Sequence, residues 1–180
     1  MVVQTNSDEM HFVTNQEIVL AARNNLNQGT WGYLCGGSES ETTLRRNRLA
    51  FDTLAFRPRS LVDVSNIDTS ANVLGHELRI PVILAPIGSQ QVFTGEGGIA
   101  ATKAAYEFGV LDTISSVTQP TLEEISESAD NPKVYQLYLN GDWDFIKDMI
   151  SRAKAAGYEA LCITTDTARP SRRDRTLLSR

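Results

Sequence analysis

The 180-residue sequence predicts an α/β fold in which a parallel sheet is covered by helices. Three observations carry this expectation. Short, near-continuously apolar runs recur in "PVILAPIG", "LDTISSV", "KVYQLYL" and "ALCITTD". Stretches of helical period separate them: "EGGIAATKAAYEFG", "TLEEISESA" and "DWDFIKDMISRAKAAG". Thr121 and Asp142 stand where helices need caps, and Gly109 and Gly157 where helices need stops. Strands buried on both faces lose the alternation of half-exposed ones, so they read as uniformly apolar.

Ahead of these strands lies a leader of different character, and residues 1–80 are read as N-terminal helices plus a hairpin. Its first residues, "MVVQTNSDEMHF", lack the charged-then-apolar layout of a secretory signal. No apolar run approaches the roughly 20 residues of a membrane span. A cytoplasmic protein with no membrane partner is expected. Thr14 and Glu17 have the spacing of a capping box before "EIVLAARNNL", and Ser38 with Glu41 repeats that spacing before "TTLRRNRLAF". Gly36 and Gly37 give the second helix a flexible entry. "RPRSLVDVS" leads into "ANVLGHELRI", a hairpin turning at Leu74 and Gly75. Residues 81–180 then hold the four strands.

Composition narrows the function classes. A hydrophobic content of 41% is enough to bury a core, and the formal charge of -5 argues against general nucleic-acid binding. Arg169, Arg172, Arg173, Arg175 and Arg180 nevertheless make the last dozen residues locally basic. Cys35 and Cys162 are far apart and lack metal-type spacing, so they are read as reduced small apolar residues rather than a disulfide framework.

Strand and helix alternation fits either an open doubly wound sheet or the first half of an eight-stranded barrel. The strand tips favour the barrel. Polar groups gather at the carboxyl ends of all four strands: Gly88 and Ser89, Ser115 and Ser116, Gln136 and Tyr138, Thr164 and Asp166. A barrel would bring such residues to one mouth. An open sheet usually carries a Gly-rich phosphate loop after its first strand, and "APIGSQQVFTGEGG" contains no G-x-G-x-x-G.

Seven segments, "YLCGGSESETTLRRNRLAF", "FRPRSLVDVSNIDTS", "PVILAPIG", "GEGGIAATKAA", "TISSVTQPTLEEI", "YQLYLNGD" and "ITTDTARPSRRDR", occur in an order and spacing that resembles one known family. It is the FMN-dependent 2-hydroxy acid oxidase and dehydrogenase family, which includes glycolate oxidase, lactate oxidase, lactate monooxygenase and mandelate dehydrogenase. The likeness runs from about Trp31 to Arg175 and covers the family's N-terminal half. It implies a (β/α)8 TIM barrel, of which this chain supplies the N-terminal helices, the leader hairpin and the first four strands. It also implies FMN as cofactor and oxidation of a small L-2-hydroxy acid to a 2-oxo acid, with electrons passed to oxygen or another acceptor.

The same resemblance assigns roles to individual residues. Pro86, Ile87 and Gly88 match the backbone segment beside the flavin ring, where a small residue permits close approach. Ser115 matches a serine that bonds the flavin, Gln136 the glutamine on the ring's polar edge, and Thr164 a threonine of similar role. Tyr138 matches the tyrosine that bonds the substrate hydroxyl, and Tyr33 one that helps hold the carboxylate. Arg173 matches the arginine facing that carboxylate, where a guanidinium fork gives two parallel bonds. Asp166 matches an aspartate that pairs with the active-site histidine and favours its charged form. Taken singly, Gly88 also reads as a strand end, Ser115, Gln136 and Thr164 as satisfied polar residues near a barrel mouth, Tyr138 as a core tyrosine with its hydroxyl at the rim, and Arg173 as a solvated loop arginine, the reading favoured for Arg175 and Arg180.

Departures from the family pattern are informative too. The histidine itself is absent, since His11 lies in the polar leader and His76 in the hairpin, and both read as surface residues. Val117 stands where several relatives carry a large aromatic residue, and Gly88 where many carry alanine, so the substrate pocket is expected to accept more than glycolate. "TGEGG" lacks the family's usual His-Pro before Glu96. The absent half would supply a lysine near the flavin, the histidine, a second arginine and the phosphate-binding groups. A C-terminal half of the barrel as a second chain is therefore the expected partner, within a homo-oligomer such as a tetramer of barrels. Two other readings stand beside this one: a non-catalytic half-barrel that serves as a binding or assembly subunit, and another phosphate-binding barrel enzyme. The Tyr33, Tyr138 and Arg173 set speaks against the last.

Overall fold

The computed structural model describes residues 12–167 and 171–178, so the expectations for His11, Arg169 and Arg180 fall outside the described residues. Two compact units are present. One comprises the chain up to Leu54 together with the segment from Ser171, and the other runs from Ala55 to Pro170. The hairpin therefore goes with the sheet, whereas the sequence suggested a division after residue 80. Its Leu78 is buried against Leu111 and Val134 of the sheet, and that contact decides the grouping.

The first unit is helical. Helix α1, Asn15–Asn25, starts at Thr14 with the expected capping box closed in both directions. Helix α2, Gln28–Cys35, was not legible in the sequence because its two glycines depress helix propensity; Asn27 caps it by accepting from the Thr30 backbone N–H. Helix α3, Thr42–Asp52, departs from expectation at its start. The Ser38 box does not form. Glu41 itself takes the cap position in a left-handed conformation with no side-chain cap bond. Its carboxylate turns instead to Arg175, whose Nε and Nη2 donate to it at 2.9 and 2.6 Å. A short helix, Asp174–Leu178, packs on α2, and the Glu39 backbone N–H donates to the Arg172 carbonyl at 2.8 Å.

The second unit holds the sheet. Strands β1, Ala71–Val73, and β2, His76–Leu78, pair antiparallel around Leu74 and Gly75. Both turn residues have positive φ, the requirement of a two-residue hairpin loop. Strands β3 (Ile83–Leu84), β4 (Leu111–Ser115), β5 (Lys133–Tyr138) and β6 (Ala160–Thr164) form one parallel sheet in the order β3-β4-β5-β6. Strand β3 is only two residues long, against the longer run suggested by "PVILAPIG". Pro86 has no N–H for a ladder, and the chain leaves into a 3-10 turn at Gln90–Val92. Helices α4 (Gly98–Phe108), α5 (Leu122–Glu127) and α6 (Trp143–Ala155) make the crossovers. Thr121 closes the capping box of α5, Asp142 caps α6, and Gly109 ends α4 in the left-handed conformation.

Register separates the two sheet faces. Ile114, Tyr135 and Leu137 point to the helices and join Ile125, Ile146 and Tyr158 in the main core. Leu111 and Val134 lie on the other face, where Leu78 of the hairpin closes the amino end of the sheet. At that end Asp112 and Lys133 are paired neighbours on β4 and β5, both buried. Thr102 of α4 donates to Asp112 at 2.7 Å, and Lys133 donates to the Ala129 and Asn131 carbonyls. Burial pushes the Asp112 carboxyl above its ordinary value and pulls the Lys133 ammonium below its own.

Candidate active site

Parallel pairing lines up the carboxyl tips of three successive strands. Ser115 is the partner of Gln136, and Tyr138 of Thr164. A hydrogen-bond relay follows this register. The Ser115 hydroxyl donates to Gln136 Oε1 at 2.8 Å, and Gln136 Nε2 donates to Thr164 Oγ1 at 2.7 Å. Gln136 is only 2% exposed, so its amide depends on these partners. Because the Thr164 oxygen accepts here, its own hydrogen stays available for a further acceptor, as does the second amide hydrogen of Gln136.

The loop after β3 is stitched to the loop after β4 beside this relay. Thr118 Oγ1 donates to the Ile87 carbonyl at 2.8 Å, and the Ser89 N–H donates to the Val117 carbonyl at 3.2 Å. The backbone of Pro86, Ile87 and Gly88 is thereby held in place. A Cβ built on Gly88 would lie 2.7 Å from Val117 Cγ2 and 3.6 Å from Ser115 Oγ. Five expected residues, Gly88, Ser115, Val117, Gln136 and Thr164, thus form one cluster. This also modifies the expectation of extra volume, since a Val117 methyl already fills the space that Gly88 gives up.

Tyr138 ends β5 and is held through its backbone, whose N–H donates to Ser116 Oγ at 3.4 Å. Asp166 is exposed, two residues past the end of β6, and makes no hydrogen bond or ion pair with the described residues. In the helical unit, Tyr33 and Arg173 come together. The Arg173 guanidinium lies over the Tyr33 ring at 4.9 Å, and its Nη1 donates to the Tyr33 carbonyl at 3.1 Å. The two residues expected to bind a carboxylate are therefore direct neighbours, 140 positions apart in sequence.

Two expectations are corrected here. Arg175 is not a free loop arginine: it forks onto Glu41 and holds that carboxyl below its usual range. Arg172 is likewise paired, with Asp174 at 2.8 Å, so much of the local basic excess is neutralised within the fold. His76 lies at the surface, as read from the sequence, and makes one contact there. Its Nε2 lies 2.6 Å from Glu159 Oε2 and ties the hairpin to the start of β6. Thr118 is the site residue that sequence reasoning passed over. Nothing in "SSVTQP" distinguishes a hydroxyl that braces a neighbouring loop from one that faces water. A cavity of about 390 Å³ lies behind the tips, between the loop after β4 and helices α5 and α6. Ile114 and Tyr135 line it from the helix-covered side of the sheet, and Ser115 of the relay borders it as well.

Comparison with known proteins bears directly on this arrangement. The model of a family described as FMN-dependent dehydrogenase matches residues 22–180. The chain belongs to that family. It is 35% identical to glycolate oxidase 3 of Oryza sativa subsp. indica over 172 residues, which make up 95% of this chain and 47% of the relative. It is 34% identical to the glycolate oxidase of Spinacia oleracea, covering 93% of this chain and 46% of that protein. A solved mandelate oxidase superposes with a TM-score of 0.87 at 32% identity, covering 93% of this chain and 49% of the other. A mandelate oxidase structure with benzoyl-formic acid gives the same score and identity. The chain thus spans about half the length of the curated relatives it matches, and its sheet is the first half of the TIM barrel of these flavoenzymes.

The cluster at the strand tips fits the cofactor named by the family. An isoalloxazine edge alternates carbonyl oxygens and ring nitrogens, and the hydrogens that the relay leaves on Gln136 and Thr164 are donors of the kind such an edge accepts. Gly88 lets the braced backbone of the first loop come close to a flat ring without an intervening side chain.

Proposed function

We propose that this chain supplies the flavin-facing half of an FMN-dependent 2-hydroxy acid oxidase, active when a complementary half completes the barrel. The observation that carries the reading is the Ser115, Gln136 and Thr164 relay across three strand tips, because a buried amide fixed at both ends presents its remaining hydrogen in one direction. Pro86, Ile87 and Gly88 would lie along the ring, and Gln136 and Thr164 would meet its polar edge. FMN, when bound, accepts the hydride equivalent from the α carbon of an L-2-hydroxy acid.

The chain's other residues orient the substrate. Arg173 stacked on Tyr33 offers a planar cation to the carboxylate, and Tyr138 a phenol to the hydroxyl. Asp166 would favour the imidazolium of a histidine contributed by the complementary half. That histidine takes the hydroxyl proton in this reading. Mandelate oxidases are among the similar solved structures, and Val117 stands where several relatives carry a bulkier side chain, so an aromatic or long-chain 2-hydroxy acid is the favoured substrate.

Native mass spectrometry combined with a visible spectrum tests the proposal. A flavin-coloured complex that turns over mandelate faster than glycolate supports it. A colourless species in every assembly the chain forms overturns it in favour of a binding subunit.

A further inference from the structure

We propose that Glu41 and Arg175 form a latch that positions Arg173 for the substrate carboxylate, an inference that rests on the function proposed above. The pair joins positions 134 apart in sequence, and its geometry is a fork: Arg175 Nε donates to Glu41 Oε1 at 2.9 Å and Nη2 to Oε2 at 2.6 Å. The Gly37 N–H is a third donor, 3.3 Å from Oε1. The Glu41 side chain is only 18% exposed, which sets the pair apart from a loose surface contact. Arg175 lies along Gly36, where an added Cβ would meet Arg175 Cβ at 3.4 Å and Cδ at 3.6 Å. The glycine pair thus leaves room for the arginine to reach the carboxylate.

The backbone is strained to make these contacts. Glu39 and Glu41 both hold the left-handed conformation, with φ of 47° and 58°, which costs a residue that carries a Cβ. Glu41 also starts α3 without a side-chain cap bond. Each of these two residues touches the same distant segment, Glu41 through Arg175 and Glu39 through its N–H to the Arg172 carbonyl at 2.8 Å. Strain persists where surrounding contacts impose it, and here the contacts converge on the residues that flank Arg173. Arg173 lies between the two tethers, stacked on the Tyr33 ring and donating through Nη1 to the Tyr33 carbonyl. The Leu177 N–H donates to the Arg173 carbonyl at 3.1 Å and ties it to the short helix that carries Arg175. A guanidinium gives a carboxylate two parallel bonds when its plane is fixed. Tethers at 172 and 175 fix the chain that carries this plane before substrate arrives, so less ordering is left for binding to impose.

Hydrogen exchange on the chain itself reads the latch, and steady-state kinetics of the flavin-bound assembly read its consequence. Arg175→Ala and Glu41→Gln should each speed exchange across residues 171–178 by about tenfold, the equivalent of one charge-assisted hydrogen bond. Exchange in β4 and β5 should stay as in wild type. Each substitution should raise the KM for mandelate by a similar factor and leave kcat within about twofold, as expected when binding common to the ground and transition states is lost. Arg175→Lys keeps the charge without the fork and should fall between. The double variant E41Q/R175A should cost no more than either change alone, because both remove the same interaction. Costs that add, or a fall in kcat at unchanged KM, overturn the latch as a positioning device. Exchange across residues 171–178 that neither substitution alters overturns it as well. If the wild-type assembly oxidises no 2-hydroxy acid although the exchange results hold, the proposed function fails and the positioning role falls with it.

Discussion

At the scale of single residues, Gly88 and Val117 behave as one unit. An alanine at 88 would press its methyl into Val117 Cγ2 at 2.7 Å, tighter than real contacts allow. Gly88→Ala alone should therefore shift the loop and weaken flavin binding in the assembled enzyme, while Gly88→Ala with Val117→Ala restores it. Flavin fluorescence titration reads this, and equal binding by both variants would refute the coupling. Thr102 gives a second prediction. Its hydroxyl bond favours the charged form of the buried Asp112 carboxylate, so Thr102→Val should destabilise by about 1–3 kcal/mol where that group is ionised. Because burial raises the folded pKa above 3.8, Asp112 takes up its proton more readily folded than unfolded as pH falls. The penalty of the substitution should shrink toward acid pH in urea unfolding; a pH-independent penalty would show that Asp112 is not its cause. These contacts explain why residue roles were only partly legible. Gln136 and Ser115 stand out as polar residues at the ends of apolar runs, but Thr102 and Thr118 act through neighbours brought close by folding.

Among elements, legibility followed the strength of local signals. Strands β4, β5 and β6 and helices α4, α5 and α6 were readable because an apolar period and a cap or stop agreed for each. The α3 start was misread because the Ser38 spacing resembled a capping box while Glu41 had a stronger, distant partner in Arg175. The α4 start shows the converse, a feature without a local signal. Gly98 N–H donates to the Gln119 carbonyl at 2.9 Å, and a Cβ on Gly97 would collide with that same oxygen. Both glycines let α4 enter against the loop before α5. Gly97→Ala also meets a φ of +56°, so it should cost at least about 1 kcal/mol by thermal or urea unfolding. Thr121→Ala, which opens the α5 capping box, should cost about 1 kcal/mol by the same measurement. A larger loss from Thr121→Ala than from Gly97→Ala would mean that the cap, not the close approach, governs this corner.

For the whole molecule, the parallel class was readable from strand and helix alternation, whereas the barrel was read from the polar strand tips and the family resemblance, because alternation alone fits an open sheet equally well. The sheet ends at β3 on one side and β6 on the other, and no described strand pairs with either free edge. Open parallel edges with bare apolar side chains favour association of chains with one another. The chain on its own should therefore associate in a concentration-dependent way at micromolar levels. Leu161 offers a selective probe, since it projects from the helix side of β6 and is already 42% exposed. Leu161→Lys places a charge on that surface while removing little buried contact, so it should suppress self-association without altering the circular dichroism spectrum. Light scattering across a concentration series decides the matter. If the lysine variant associates as readily as wild type, the bare side of β6 is not the surface through which these half-barrels meet.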